Sequence, residues 1–361
     1  MASSSSRRPA ARAAEAALPA AAALVLAYAW AGRQRAPRIP RLFGASASEP
    51  LPSYFKYHEA LLNPPRDQLG CASCWAFAVC DMAADALNLR TEGAWGVRPL
   101  SPQYLLSCAP GLTQSCEEGG IPEEALESPA ATSEGGGIPL ESEVPYRADE
   151  GPCAASSARP SPGGVRVRIA PGSSLSLCDD PSLALPGMRG ATVKRNVANM
   201  KRAIMRHGPV VGTLRVTEDL YDYAASEIYR QDPASAFVGY HAVLIVGWCD
   251  ARVNSAEPGF DGAYWVIKSS WGQHWGVPEG VRSGYAYVAM GENIAEVESR
   301  ASVATAVLPD GFAEAEGWQK RTAYWSYDDY ARDPDRDNFL GAVARAHAEQ
   351  RGAREKGDPK P

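Results

Sequence analysis

The sequence predicts an α+β fold with two lobes, a helical first lobe followed by a β-rich second lobe. The first part of the chain carries a helical apolar period, and the second part carries several short runs rich in β-branched and aromatic residues. Segregated helices and strands are typical of α+β domains. With 361 residues, of which 45% are hydrophobic, the chain is long enough to bury a sizeable core.

The individual elements follow from local patterns along the chain. Trp75 to Leu89 has the 3.6-residue period of a helix with one buried face, and a second helix is predicted from Val193 to Arg206. Turns and short strands are predicted from Glu141 to Ser174, with one strand candidate at Gly164 to Ile169. Longer strands are predicted at Val210–Val216, His241–Trp248, Tyr264–Lys268 and Tyr285–Met290.

Charge and composition exclude several classes of protein. The formal net charge of −6 argues against a nucleic-acid-binding protein, whose domain is normally basic. The 33 Gly and 29 Pro follow no Gly-x-y period, so they indicate loops and argue against collagen. We expect no nucleic acid partner and a monomeric protein.

The N-terminal region is predicted to be a targeting segment. A basic, Ser-rich lead runs into a mostly apolar stretch at residues 16–31. Such a stretch is typical of a signal peptide, and it is also close to the length of a short membrane anchor. A third interpretation is an Ala-rich leader without topological meaning. We therefore predict a signal peptide or membrane tether at 1–31 and a linker at 32–50.

The remaining chain divides into a large domain and a tail. Apolar segments broken by Gly and Pro clusters continue from residue 51 to residue 309, which predicts one globular unit. Residues 310–361 are aromatic and acidic, then charged, with one short helix predicted at Leu340–Gln350. The tail could fold back on the domain or recruit another protein.

Cys71 and Cys74 form a C-x-x-C pair with three interpretations. In a thioredoxin-type redox pair the Trp usually precedes the first Cys, whereas Trp75 follows the second one. A zinc site needs a second ligand pair, and the sequence has neither another C-x-x-C nor an H-x₃₋₅-H. The third interpretation makes Cys74 a nucleophile at the start of a helix, where backbone N–H groups and the macrodipole favour a thiolate.

A thiol nucleophile needs a base, and the five His residues can be compared one by one. His58, His207 and His347 are most simply surface or capping residues, and His274 lies in a Gly-rich turn. His241 opens an apolar strand, which would hold its imidazole on a rigid scaffold. From the residues alone, a catalytic base and an ordinary core histidine remain open for His241.

Four blocks of the sequence resemble papain-like cysteine peptidases, in the family's order. They are Gln68–Phe77, Leu100–Cys108 with Cys116–Gly120, Tyr240–Val243, and Tyr264–Gly272 with Trp275–Gly276. The similarity covers residues 51–309 and is nearest to cathepsin X/Z or cathepsin B. It implies a two-lobed papain-like fold, with a helical left lobe, a β-barrel-like right lobe and the active-site cleft between them.

The resemblance implies a role for each matching catalytic residue. Cys74 would attack the peptide carbonyl as a thiolate paired with the imidazolium of His241. Gln68 would donate to the oxyanion, and Trp271 would shield the catalytic pair from water. Ser269 stands where the family has the Asn that orients the imidazole, which implies reduced but not abolished turnover.

The resemblance also implies substrate-binding residues and a mode of cleavage. Gly119 and Gly120 would expose backbone for pairing with an extended substrate, although the turn before them is one residue longer than usual. Arg300 aligns with the floor of the main specificity pocket and implies an acidic P2 side chain. No insertion resembles the loops that make some relatives exopeptidases, which leaves endopeptidase action.

Two disulfides, Cys71–Cys116 and Cys108–Cys153, are implied by the resemblance, and they agree with an oxidising compartment of the secretory or endolysosomal system or the exterior. The third bridge of the family is missing, with Ala295 at one of its positions, and Cys80, Cys178 and Cys249 remain unassigned. Residues 32–50 are too few for the family's helical prodomain. The resemblance implies peptide or protein substrates and no metal or organic cofactor. The alternative function is a papain-fold binding or scaffold protein that is weakly active or inactive.

Overall fold

A computed structural model describes the two lobes of the protein. It covers residues 51–57, 59–109, 115–132, 136–153, 164–223, 228–250, 262–276 and 284–315. The predicted leader (1–31), the linker (32–50) and most of the tail (310–361) lie outside these ranges, so their assignments remain predictions. No helix within the ranges combines the length and the apolar character needed to cross a bilayer.

Helix α1 (Cys74–Arg90) forms the centre of the left lobe. The sequence predicted one buried face for this helix, and that prediction was wrong, because every residue from Trp75 to Leu89 is buried. Five of these residues are Ala, whose small side chains let other elements pack on all sides of the helix. A helix buried on all sides holds its first residue, Cys74, in a fixed position.

The rest of the left lobe is built from short elements around α1. Helix α2 (Pro102–Cys108) is capped by Ser101, whose Oγ accepts the backbone N–H of Tyr104 at 3.0 Å. Helices α3 (Pro122–Glu127) and α4 (Pro129–Thr132) follow, and β2 (Ile138–Pro139) pairs with β3 (Arg166–Val167) in a small ladder. The described residues between Glu141 and Ser174 thus contain turns, as predicted, and one short strand, β3, which lies within the candidate at Gly164 to Ile169.

The right lobe combines one long helix with an antiparallel sheet. Helix α5 (Arg189–His207) starts four residues before its predicted beginning, and α6 (Glu218–Tyr221) is a single turn. The seven strands of the sheet are β1 (Tyr54–Lys56), β4 (Leu175–Ser176), β5 (Val210–Thr217), β6 (Phe237–Cys249), β7 (Tyr264–Lys268), β8 (Tyr285–Ala289) and β9 (Ala301–Val303).

The four predicted long strands are present, in the spatial order β4-β9-β5-β6-β7-β8, with β1 paired to β6. In the part of the chain that the structure describes, this strand path does not close, so the right lobe is an open sheet and not a closed barrel. Strand β6 is 13 residues long and begins at Phe237, so His241 is an interior residue opposite Leu214 on β5. The prediction that His241 opens its strand was therefore wrong.

A buried group of charges joins α1 to β7, and we call it the Lys268 cluster. Its members are Lys268, Asp85, Asp81, Arg66 and Glu141. Lys268 Nζ lies 2.7 Å from Asp85 Oδ2 and 3.2 Å from Asp81 Oδ2, and its side chain is only 1% exposed. Arg66 links Asp81, at 2.6 Å, to Glu141, at 2.8 Å. The cluster fixes α1 relative to the strand that leads into Ser269.

Candidate active site

Cys74 lies where the start of α1 meets strand β6. The backbone N–H of Ala242 donates to Cys74 Sγ at 3.4 Å, although the two residues are 168 positions apart in the sequence. Burial raises the pKa of the Cys74 thiol, and the N–H groups of Ala242, Trp75 and Cys74 itself act in the opposite direction. The structure thus brings Cys74 next to the residue that follows His241.

The ring of His241 is held on two sides. Its Nε2 lies 3.0 Å from Ser269 Oγ, and the ring stacks on Trp271 with centroids 4.1 Å apart and planes inclined by 22°. Since Nε2 is committed to Ser269, Nδ1 is the nitrogen left to exchange a proton with a thiol. His241 is buried, and this burial lowers its pKa to about 3.

An aromatic group covers the imidazole. Trp271 stacks on Tyr221 at 5.0 Å between ring centroids and meets Trp275 edge to face at 4.9 Å. The indole N–H of Trp275 donates to Leu220 O at 3.0 Å, which fixes this group to α6. The arrangement keeps water from the buried side of His241.

Gln68 is fixed by hydrogen bonds to both ends of its carboxamide. Its Nε2 donates to Cys71 O at 2.9 Å, and its Oε1 accepts the hydroxyl of Ser270 at 2.7 Å. Its backbone carbonyl accepts the Tyr146 hydroxyl at 2.8 Å, and that hydroxyl is 2.6 Å from Ser73 Oγ. The second N–H of the amide remains for another acceptor near Cys74.

Two residues of this arrangement, Ser270 and Tyr146, were missed by the sequence analysis. Ser270 had a signal, because it lies inside the block that contains Ser269 and Trp271. Tyr146 lies in a region of turns, and no periodic pattern marks it. Only the folded chain brings its hydroxyl to Ser73 and Gln68.

The disulfides Cys71–Cys116 and Cys108–Cys153 are both present. Cys80, Cys178 and Cys249 are not in disulfides, and burial raises the pKa of the Cys80 and Cys178 thiols. The bridge at Cys71 ties the segment before the nucleophile to the turn at residues 115–119.

That turn uses Gly119 differently from the way the resemblance implied. Gly119 N–H donates to Ser115 O at 3.0 Å, and Gly119 O accepts from Ser115 N–H at 3.2 Å. Its φ is +78°, and a Cβ at this position would lie 3.3 Å from Ala72 O, which explains why glycine is required there. The backbone of Gly119 is thus committed within the turn, and Gly120 is the partly exposed glycine of the pair.

The lengthened turn is acidic and exposed. The backbone N–H groups of Glu117 and Glu118 both donate to Ser115 Oγ, at 3.2 and 2.7 Å, and both residues are exposed. Together with Asp149 and Glu150 they line a cavity of about 520 Å³. The additional Glu therefore places negative charge on the surface beside Cys116.

Arg300 lies beside the residue that precedes His241. Its guanidinium lies over the ring of Tyr240 at 4.7 Å, and its carbonyl accepts the N–H of Thr213 at 3.0 Å. Tyr240 in turn donates from its hydroxyl to Glu296 at 3.4 Å. Arg300 is thus a partly exposed cation held next to the strand that carries His241.

The described part of the chain offers no ready metal site. Among its residues, no group of three or more His, Cys, Asp or Glu side chains is arranged to hold a metal ion. The groups gathered around Cys74 are a thiol, an imidazole, a carboxamide and hydroxyls. These are the side chains of nucleophilic and acid–base chemistry.

The sequence matches the family model described as "Papain family cysteine protease" over residues 51–305. The chain belongs to this family. Membership is consistent with the chemical groups found around Cys74. It also agrees with the resemblance of the four sequence blocks to papain-like cysteine peptidases.

Curated relatives have similar sequences over the same region. A gut-specific cysteine proteinase of Caenorhabditis elegans is 31% identical over 242 residues, covering 65% of this chain and 66% of the relative. Cathepsin J of Mus musculus is 27% identical, covering 67% and 62%, and the tubulointerstitial nephritis antigen of Bos taurus is 27% identical, covering 65% and 48%. The chain thus spans between about half and two thirds of the length of these relatives.

Solved structures confirm the two-lobed papain-like fold. Procathepsin L2 from the larval midgut of Tenebrio molitor superposes with a TM-score of 0.55 at 25% identity, covering 73% of this chain and 71% of that one. ProCathepsin B S9 from Trypanosoma congolense gives a TM-score of 0.55 at 23% identity, covering 72% and 79%. The second likeness concerns the fold alone.

Proposed function

We propose that the protein is a cysteine endopeptidase that hydrolyses peptide bonds through Cys74 and His241. The observation that carries this proposal is the hydrogen bond from Ala242 N–H to Cys74 Sγ, which brings the sulfur beside the His241 strand. Papain-family membership supports the same reaction class. The two residues have the types and the neighbourhood that nucleophilic thiol catalysis requires.

In the proposed reaction His241 carries a proton from Cys74 to the leaving amine. Nδ1 of His241 takes the proton of Cys74 Sγ, and the sulfur attacks the carbonyl carbon. The resulting imidazolium returns the proton to the amine, which leaves as the C–N bond breaks and a thioester remains. His241 Nδ1 then takes a proton from water, whose oxygen attacks the thioester carbon. The C–S bond breaks, the imidazolium returns the proton to Cys74 Sγ, and the acid product leaves.

The oxyanion formed in both halves of the reaction needs hydrogen-bond donors. We assign this role to the free N–H of the Gln68 carboxamide and to the backbone N–H of Cys74. The bonds from Gln68 to Cys71 and Ser270 support it, because they fix the amide without using its second proton. A fixed donor costs no reorganisation when charge develops.

The thiolate–imidazolium form of the proposed catalytic pair depends on contact between Cys74 and His241. Burial by itself disfavours both the thiolate and the imidazolium. Mutual attraction and the N–H groups of Ala242 and Trp75 favour the thiolate form. Ser269 supports the pair by accepting from Nε2–H, which a hydroxyl 3.0 Å away can do directly.

Substrate binding is proposed at the two sides of Cys74. Gly120 would pair with the substrate backbone, while Gly119 shapes the turn that presents it. Arg300 would select an acidic P2 side chain, since it is a partly exposed cation beside Tyr240. An Arg300→Glu variant should reverse the preference from Asp and Glu toward Lys and Arg at P2, and a peptide library that shows no change would contradict this role.

The second candidate is a papain-fold binding protein with little or no turnover. Ser269 in the position of the orienting Asn and the acidic turn at Glu117 and Glu118 favour it. One matched relative is named as an antigen and not as a protease. We further propose a location in the secretory or endolysosomal system, because two disulfides need an oxidising compartment.

A thiol-directed probe with an electrophilic peptide distinguishes the two candidates. We expect the wild-type protein to be labelled at Cys74 and to cleave an internally quenched peptide blocked at both ends. Cys74→Ala should lose labelling and cleavage, and His241→Ala should lose cleavage. Cys178→Ser is the matched control, because it removes a free thiol away from the site. A folded wild-type protein that neither reacts nor cleaves would favour the binding protein.

A further inference from the structure

An apolar loop projects from the surface immediately before α5. Leu183, Leu185 and Met188 are exposed by 61%, 76% and 49%. The backbone of this loop, residues 181–188, is held by a bond from Ser182 N–H to Asp180 Oδ1 at 2.8 Å and one from Met188 N–H to Leu185 O at 2.8 Å. Three large apolar side chains presented together by a shaped loop form an exposed hydrophobic patch, a feature that marks interaction sites.

Helix α5 begins directly after this patch and carries positive charge. Its 19 residues include six Lys or Arg and no acidic residue. The side that packs on the core carries Val193, Asn196, Met200 and Ile204. At 100° per residue, Arg202 falls on the opposite side and is partly exposed, and Lys194 falls on the flank of the buried side and is exposed.

Part of the charge of α5 is uncompensated. Arg195 pairs with Asp179 at 2.6 Å, and the buried Lys201 pairs with Asp250 at 2.6 Å. Within the described ranges, no carboxylate lies within ion-pair distance of Arg189 or Lys194, and both are exposed. In a chain of formal net charge −6, this is a local positive region directly beside the apolar loop.

We propose that the 181–188 loop and the exposed face of α5 bind the anionic surface of a lipid bilayer. The apolar side chains of Leu183, Leu185 and Met188 would enter the boundary between headgroups and acyl chains. The cations of α5 would remain at the level of the phosphate and carboxylate groups. This combination of apolar tips and basic residues is what interfacial binding requires.

Two other occupants fit the surface less well. A second copy of the chain, related by a two-fold axis, would bring the same cations of α5 together, and like charges in an interface oppose association. A nucleic acid would satisfy the cations but would leave the exposed leucines in water. The anionic bilayer alone matches both the charge and the apolar side chains.

The proposal is independent of the catalytic one, because none of its residues contacts Cys74 or His241. The test measures binding of the full-length protein to phosphatidylcholine vesicles with and without phosphatidylserine by co-sedimentation. Residues 16–31 are common to all variants, so they cannot cause a difference between them. Each variant is first compared with the wild type by its thermal unfolding midpoint.

We expect stronger binding to vesicles that contain phosphatidylserine, and weaker binding as salt is added. Lys194→Gln/Arg202→Gln should reduce the partition coefficient by about fivefold for each cation. Leu183→Ser/Leu185→Ser/Met188→Ser should reduce it by roughly tenfold or more. The matched controls Val97→Ser and Arg147→Gln, which change an exposed apolar residue and an exposed cation elsewhere, should bind like the wild type.

Equal binding to both kinds of vesicle would overturn the proposal, and so would loop and helix variants that bind like the controls. The same conclusion follows if the wild type forms a dimer in sedimentation velocity runs and the triple loop variant is a monomer, because the surface is then an interface between copies.

Discussion

Replacing Lys268 by Met tests how the two lobes are held together. Lys268 Nζ is bonded to Asp85 at 2.7 Å, to Asn63 O at 2.9 Å and to Asp81 at 3.2 Å. Met is similar in length and apolar, so the substitution removes the charge and three contacts with little change of volume. Asp85, which is fully buried, then loses its cation.

The magnitude follows from what is left behind. Removing one partner of a buried ion pair costs about 3–5 kcal/mol, because the other charge stays buried and uncompensated. Asp85 keeps the two bonds from Asn63 to its Oδ1, at 2.7 and 2.6 Å, and Asp81 keeps Arg66. We therefore expect a loss of about 3 kcal/mol in the free energy of unfolding, at the lower end of that range.

The measurement is urea unfolding followed by tryptophan fluorescence, with the disulfides intact. The double variant Lys268→Met/Asp85→Asn should recover most of the loss, since it removes the buried charge and keeps an amide oxygen to accept the two Asn63 donors. Lys194→Met, at an exposed position, is the control and should stay within about 0.5 kcal/mol of the wild type.

Two results would refute the reasoning. A loss of less than about 1 kcal/mol in the free energy of unfolding of Lys268→Met would show that Lys268 does not compensate a buried negative charge. A double variant that is less stable than the single one would show that the loss does not come from an uncompensated charge on Asp85.

Three further predictions concern single residues. Ser269→Ala removes the bond to His241 Nε2 and should lower kcat by about tenfold with little change in KM, whereas Ser269→Asn should restore or raise kcat; unchanged kcat in both variants would contradict the orienting role. Burial raises the pKa of Glu298, so the ionised carboxylate destabilises the folded protein. Glu298→Gln should therefore have a larger free energy of unfolding than the wild type at neutral pH. Unfolding curves should show this difference in stability becoming smaller as the pH falls toward the ordinary pKa of 4.5. Gly276→Ala should fail to fold or lose several kcal/mol, because φ is +80° and the new Cβ would lie 2.1 Å from Tyr285 O; a normal melting temperature would contradict this.

Local sequence patterns predicted the positions of helices and strands better than they predicted which residues pack around them. The strand at Tyr264–Lys268 has its predicted bounds, because four of its five buried residues are aromatic or β-branched, which favours a central strand. Periodicity assigned the helix at Trp75–Leu89 correctly but predicted only one buried face. Burial of the other face depends on Asp81 and Asp85 finding cations from distant segments, and no local pattern records such partners.

In the candidate site, too, some residues could be predicted from the sequence and others could not. Cys74, His241, Gln68 and Ser269 could be proposed from the sequence because each lies in a block that resembles a family. Tyr146 could not, since its hydroxyl matters only through its contact with Gln68 and Ser73. The role of Gly119 was also misjudged, because its hydrogen bonds to Ser115 depend on a turn one residue longer than the family's.

The Cys71–Cys116 bridge has a consequence for the redox conditions under which this protein can work. Cys74 must stay a thiol to react, yet only two residues separate it from a disulfide that anchors the segment carrying Gln68. A mild reductant keeps the thiol reduced, whereas a strong one also opens the neighbouring bridge by thiol–disulfide exchange. The proposed activity is therefore expected within an interval of potential, bounded above by oxidation of Cys74 and below by loosening of the segment that carries Gln68.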